Sequence, residues 1–263
     1  MLFEKLKQFR FFTRKKLTFA GESQTGLVRK SNEDRFFYIS NPHERNAFAV
    51  VADGIGGHND GDIASELCCN FMHRAWHNDN VGNRNDEDKL REFLIWVIEE
   101  ANREIREQSK KLQETKPMGC TVVAAIITPN KIIVANAGDS RCYGKTRSSL
   151  VMLSCDHTLR SKILNESREN GTEIVDLPAA NIICKAVGPS RRVKPEINVF
   201  PRNDYEKLML CSDGLTTMVD DSLIAEIMDN YSSPQKITAH LMCEALKNGG
   251  TDNITIISAN LKR

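Results

Sequence analysis

A single layered α+β domain is the fold class this sequence predicts, and three observations carry it. The β-branched segments Thr121–Ile127 and Lys131–Ala137 are separated only by Thr128-Pro129-Asn130, too short for a crossover, so they form an antiparallel hairpin. That connection argues against a doubly wound sheet. Long stretches of helical periodicity accompany such strands, and long helices beside antiparallel strands pack as layers. No repeat, low-complexity tract or Pro/Gly/Ser-rich linker divides the 263 residues, so one domain is expected.

In chain order, Ala47–Ala52 is an apolar, β-branched run that stops at an Asp-Gly pair and reads as a strand. Apolar residues at helical spacing place helices over Ile63–Trp76 and Asp88–Leu112. The hairpin follows, then short strands at Arg141–Tyr143 and Leu150–Leu153. Leu159–Asn170 is weakly helical within a longer stretch, His157–Val187, that contains Gly171 and Pro178 and no sustained strand pattern; it reads as a surface flap. Lys207–Ser212 is another strand running into Asp-Gly. Pro234–Lys247 has Ser233 as its N-cap, Pro234 at the first helical position and Gly249 just past its end. Asn253–Ala259 is the last strand.

Lys+Arg 36 against Asp+Glu 35 leaves a net charge of +1, so no global field steers the chain onto nucleic acid or an anionic membrane. The eight cysteines include no C-x-x-C pair, and most lie in apolar stretches, such as Cys68, Cys120, Cys184 and Cys243. That usage suits reduced, buried thiols in a cytosol rather than a disulfide framework. No apolar run reaches the ~20 residues that span a bilayer, and the N-terminus lacks the uninterrupted apolar stretch of a secretory signal. A cytoplasmic monomer is expected. Residues 1–18 form a basic extension in which Met1–Lys16 mixes aromatics with cations, a composition able to lie on an anionic membrane or dock a partner. A frayed or simply packed terminus is the commoner reading of such a segment.

Function is concentrated in acids at strand ends. Asp53, in Val51-Ala52-Asp53-Gly54-Ile55-Gly56-Gly57-His58, leaves a hydrophobic strand directly into glycines; Asp213 does the same in Cys211-Ser212-Asp213-Gly214; Asp252 follows Gly249-Gly250-Thr251. An Asp-Gly pair after a strand is ordinarily a turn. Three strand-end acids beside glycines in one chain point instead to one site, because clustered carboxylates repel and raise one another's pKa unless cations sit among them. Oxygen-only ligands select hard ions such as Mg or Mn. Asp53 reads as the bridging ligand, Gly54 as a carbonyl donor to one ion, and Asp213 with Asp252 as ligands of the other. Two ions about 3.5–4 Å apart suit phosphoester hydrolysis. Asp139, in Gly138-Asp139-Ser140-Arg141, is either a further ligand or a hairpin-turn residue with Arg141 as cross-strand partner. Arg29 lies in a polar run and can grip a phosphate bidentately, or be one more solvated charge.

In order along the chain, Arg29 with Asn32-Glu33-Asp34, the Asp53 motif, Met118-Gly119-Cys120-Thr121, Gly138-Asp139-Ser140-Arg141, Cys211-Ser212-Asp213-Gly214 and Gly250-Thr251-Asp252-Asn253 closely resemble the metal-dependent protein phosphatases of type 2C, in particular their compact bacterial branch. The resemblance spans Phe19 to Leu261. It implies a four-layer α/β/β/α sandwich with two central antiparallel sheets over residues 19–263, a flap at about 157–187, and two Mn or Mg ions with a possible third. It implies that Asp139 joins Asp213 at that third site, that Glu33 and Asp34 act mainly through water on the metals, that Arg29 binds phosphate, and that His58 protonates the leaving alkoxide. An imidazolium suits that last role; a solvated loop histidine is the alternative. His157 is given a structural role. The chain departs from the family at Ile55, where methionine is common, at Asp62, where glutamate is common, and over Asn181–Gly188, which follows the pattern loosely.

The resemblance implies a protein serine/threonine phosphatase in which a metal-bridging hydroxide attacks phosphoserine or phosphothreonine directly, on substrates of a Ser/Thr kinase. A catalytically silent phosphoprotein-binding relative and a small-molecule phosphoesterase are the alternatives. Cys68-Cys69-Asn70-Phe71-Met72-His73-Arg74 has the C-x5-R spacing of cysteine-dependent phosphatases but no glycine and a helical pattern, so it is a decoy. Neither Gly144-Lys145-Thr146 nor Gly54-Ile55-Gly56-Gly57 completes a nucleotide-binding fingerprint.

Overall fold

The computed structural model describes residues 17–41, 46–56, 60–78, 86–112, 118–171, 176–179 and 181–262. Its strands are β1 (Thr18–Gln24), β2 (Asp34–Asn41), β3 (Asn46–Ile55), β4 (Gly119–Cys120), β5 (Val122–Ile127), β6 (Lys131–Ala137), β7 (Arg141–Lys145), β8 (Leu150–Met152), β9 (Glu196–Pro201), β10 (Lys207–Cys211) and β11 (Ile254–Asn260). The helices are α1 (Asp60–Asn78), α2 (Glu87–Lys111), α3 (Leu159–Asn170), α4 (Asp213–Thr216), α5 (Asp221–Asn230) and α6 (Pro234–Lys247). One sheet has the order β1-β11-β10-β7-β8 and the other β2-β3-β5-β6-β9, with β4 paired to the end of β3. All these pairings are antiparallel, the β5–β6 hairpin included.

The two-residue period of a strand explains the layering. In β3, Ala47, Ala49 and Val51, with Val123 and Ala125 of the neighbouring β5, face the second sheet and share a core with its Leu210 and Ile257. Phe48, Val50 and Ala52 face the other way, onto α1 and α2. The Phe48 ring lies 5.0 Å from Trp76 and 6.0 Å from Phe93, centroid to centroid. On the far side, Met209, Cys211, Ile254 and Ile256 pack under Leu215, Ile224, Met228, Ile237 and Leu241 of the helices α4 to α6. The result is the four-layer α/β/β/α sandwich. Burial of each large apolar side chain is worth about 1.5–3 kcal/mol, so three such cores can hold the frame against charge repulsion at its end.

Helix ends follow local chemistry. Asp86 accepts from the Lys89 N–H to cap α2, and Thr158 accepts from the Ser161 N–H to cap α3, which closes on Gly171 at φ 64°. Ser233 occupies the N-cap position of α6 and Pro234 its first turn, as expected, and the Ser233 hydroxyl donates to the Gln235 side chain while no backbone N–H bonds it. Sequence periodicity passed over β1, β2 and β9. All three are sheet edges with mixed, half-exposed faces, so the apolar alternation is diluted. It also passed over α5, whose signal is the Asp220 cap that accepts from the Leu223 N–H. Of the cysteines expected to be buried, Cys68 and Cys120 are; Cys184, in the flap stretch, and Cys243, on the outer face of α6, are exposed. Cys68 of the C-x5-R spacing is packed inside α1 and away from any loop. The expected extension over residues 1–18 overlaps β1 at Thr18, and residues 1–16 lie outside the described residues.

Candidate active site

Strand direction gathers the acids. β3, β6 and β10 run toward one end of the sandwich, and β2, β7 and β11 start from it, as the registers Asp34↔Asp53, Cys211↔Arg141 and Cys211↔Ile256 require. Asp53 continues the inward-facing series Ala47, Ala49, Val51, and Asp34 lies opposite it on β2. Asp139 follows β6, Asp213 opens α4 directly after β10, and Asp252 precedes β11. The turn at Asp139 is no hairpin: β6 pairs with β5 and β9, whereas β7 belongs to the other sheet. Arg141 accordingly grips Asp156 from two nitrogens, Nε at 3.0 Å and an Nη at 2.6 Å.

The electrostatics are those of acids forced together. Burial, reinforced by Asp34, Asp213, Asp139 and Asp252, pushes the Asp53 carboxyl well above the usual range. Burial pushes Asp34 up to about 7 against the opposing pull of Ser212, and pushes Asp139 up to about 7 with help from Asp213. Burial and Asp252 raise Asp213, which shares a hydrogen bond with Asp53. Glu33 is raised by burial, with Arg29 acting against it. The Oδ1 atoms of Asp34 and Asp139 are buried with no hydrogen-bond partner among the described residues.

Neutral side chains and backbone fix this arrangement. Ser212 Oγ donates to Asp34 Oδ2 at 2.7 Å and accepts the Thr255 N–H at 3.0 Å. Asp53 is bracketed by Thr121, whose N–H donates to its carbonyl at 2.8 Å and whose Oγ1 accepts its N–H at 3.2 Å. Thr121 Oγ1 in turn lies 2.7 Å from Ser140 Oγ, next to Asp139. Asn253 accepts the Glu33 N–H at 2.8 Å and donates to the carbonyls of Thr25 and Ser31, both at 2.9 Å. That one side chain ties the Arg29 loop to the Asp252 segment, and an Arg29 Nη donates to Asp252 Oδ2 at 2.8 Å. Arg35 pairs with Asp62 at the start of α1.

Among the described residues no three acidic, imidazole or thiol side chains already close into a coordination shell. The carboxylates turn instead to donors within the protein, Asp34 to Ser212 and Asp252 to Arg29. Asp53, Asp213, Asp252, Asp139, Asp34, Glu33, Gly54 and Arg29 all gather at this end, whereas His58 lies outside the described residues. Asn253, Ser212, Thr121 and Ser140 stand within the motifs read from sequence but carry no role of their own there. Their signal was position alone: each is a polar residue within a residue or two of an acid or of a strand end.

Two glycines permit the close approach. A Cβ on Gly54 would lie 2.3 Å from the Gly61 carbonyl oxygen, and one on Gly214 only 2.0 Å from the Asn253 carbonyl oxygen. Gly214→Ala therefore has to push Asp213 away from Asp252, and thermal unfolding is expected to show a loss of about 1–3 kcal/mol. An unchanged melting temperature would mean that this contact is not held closely.

The sequence profile described as protein phosphatase 2C matches residues 27–248. The serine/threonine phosphatase stp of Listeria monocytogenes serotype 4b is 32% identical over 232 residues, covering 88% of this chain and 91% of that protein. The protein phosphatase PhpP of Streptococcus pneumoniae is 29% identical over 234 residues, 89% of this chain and 93% of its own. The crystal structure of the serine/threonine phosphatase Stp1 from Staphylococcus aureus superposes with a TM-score of 0.83 at 28% identity, covering 95% of this chain and 97% of that one.

Proposed function

Because the chain belongs to the protein phosphatase 2C family, we propose that it dephosphorylates phosphoserine and phosphothreonine in proteins, with the acid cluster at the end of the sandwich as its active site. The observation that supports this most is the pair of buried carboxylate oxygens, on Asp34 and Asp139, left without partners inside a group of acids that raise one another's pKa. Such a set is unfavourable by itself and fits hard divalent cations. Asp53, the Gly54 carbonyl, Asp213 and Asp252 would hold two Mn or Mg ions, Asp139 with Asp213 a third, and Asp34 and Glu33 would act from the next layer. Bound there, such ions supply Lewis acidity toward phosphoryl oxygens and activate water at neutral pH.

The protein's own groups do the rest. Arg29, half-exposed at the rim, exchanges Asp252 for the phosphoryl oxygens, which its planar fork can grip in pairs. Asn253 keeps that arginine in register with the cluster, and Ser212 and Thr121 orient Asp34 and Asp53. His58 is the proposed general acid that gives its proton to the departing seryl or threonyl oxygen. Residues 19–263 as the catalytic domain, 157–187 as its flap, a monomeric state, a cytoplasmic site and a kinase-derived substrate belong to the same proposal. Among the described residues no helix is long and apolar enough to cross a membrane.

The test is hydrolysis of a phosphothreonine peptide and of an aryl phosphate with Mn, before and after EDTA. Turnover of both, lost in EDTA and restored by Mn, is the expected result, with Arg29→Ala raising KM by roughly 10–100-fold. Turnover of the aryl phosphate alone would mark a small-molecule phosphoesterase, and phosphopeptide binding with no turnover a silent relative.

A further inference from the structure

The turn that leads into Arg29 carries the two most exposed large apolar side chains among the described residues, Leu27 at 68% and Val28 at 65%. This turn is held firmly. The Leu27 N–H donates to the Gly250 carbonyl at 2.7 Å, and Asn253 Nδ2 donates to Thr25 and Ser31 on either side of it. Gly26, at φ 78°, backs so closely onto the facing segment that a Cβ would lie 2.2 Å from the Asp252 carbonyl oxygen. Base and apex are thus tied to the segment that bears Asp252. A turn ordered in advance loses little freedom when something docks on it, and apolar side chains gain when water is displaced from them.

We propose that Leu27 and Val28 form an apolar shelf beside the phosphate grip and select substrates with an apolar residue next to the phosphorylated one. The inference rests on the phosphatase reading above, in which Arg29 holds the phosphate. Val28 and Leu27 are one and two residues from Arg29, no more than ~7 Å along the chain, which is the reach of one or two residues of an extended peptide. The phosphorylated side chain enters at Arg29, and its neighbour in the peptide comes to lie over the exposed pair. Covering this apolar area favours leucine or phenylalanine over serine at that neighbour by roughly tenfold in kcat/KM.

The experiment compares phosphothreonine peptides whose flanking residues are changed from serine to leucine one at a time. The unsubstituted protein, Val28→Ser and the double variant Leu27→Ser with Val28→Ser are assayed, with p-nitrophenyl phosphate as a substrate that has no flanking residue. A preference of about tenfold in the unsubstituted protein, reduced to about twofold or less in the double variant while aryl phosphate turnover and melting temperature hold, is expected. No preference in an unsubstituted protein that hydrolyses both substrates overturns the shelf alone, as does a preference that survives the double substitution. A protein that hydrolyses neither substrate overturns the phosphatase reading and the shelf with it.

Discussion

Asp53→Asn is expected to reduce turnover by ~10³-fold or more while making the chelated protein more stable, because one side chain carries both effects. Asp53 closes the inward-facing series of β3, feels Asp34, Asp213, Asp139 and Asp252, and has its carboxyl pushed far upward by burial and by those four charges. An amide of the same shape removes a charge that the fold tolerates poorly, and its N–H₂ can donate to Asp213, which already shares a hydrogen bond at this position. Relief of repulsion should raise the melting temperature in EDTA by several degrees, since about 1 kcal/mol moves a domain of this size by roughly 2–4 °C. The same change removes the proposed bridging ligand. Steady-state turnover with Mn and thermal unfolding in EDTA are the two measurements. Lost turnover together with lowered stability would mean that Asp53 is a structural residue.

How far this site could be read from sequence depends on what each residue needed. Asp53 and Asp213 were legible because an acid leaving an apolar strand into glycine is a local pattern, Asp252 because it stands beside a glycine pair at the head of a strand, and three such strand-end acids are improbable as mere turns. Their convergence was not local: it rests on strand direction, and the sheet order β1-β11-β10-β7-β8 joins strands from both ends of the chain. Asp139 could not be decided, because the turn after β6 has hairpin chemistry even though β6 and β7 enter different sheets. Asn253 was invisible as a connector for the same reason, since its partners Thr25, Ser31 and Glu33 lie more than 200 positions away along the chain. For the frame, β3, β5, β6 and β10 were plain because both their faces are buried, while β1, β2 and β9 keep one face or edge in water.

Acidification from about pH 8 to about pH 5 is expected to stabilise the chelated protein, against the usual trend for paired carboxylates. Asp34 and Asp139 are pushed up to about 7 by burial, whereas an aspartate in the unfolded chain titrates near ~3.9. Between those values the folded state binds more protons than the unfolded one, so stability falls as pH rises through about 7 and is recovered on the way down. Asp53 and Asp213 add in the same direction. His157, whose imidazole is held down by burial and by Lys185, and His73, held down by burial and by His77, oppose the gain as they protonate, but they are two groups against five, since burial raises Glu33 as well. A gain of a few kcal/mol, or roughly 5–10 °C in melting temperature, is the expected size. Saturating Mn should remove the effect, because the ions compete with protons for the same oxygens: affinity then falls with acid, and binding releases protons. Thermal unfolding across pH with and without Mn, together with calorimetry in two buffers of different ionisation enthalpy, measures both sides of that competition. A chelated protein whose melting temperature is flat or falls between pH 8 and 5, or Mn binding without proton release, would mean that the acids are already paired within the protein. In Asp53→Asn, with the strongest repulsion gone, the pH dependence of the chelated protein should be visibly shallower than that of the unsubstituted chain.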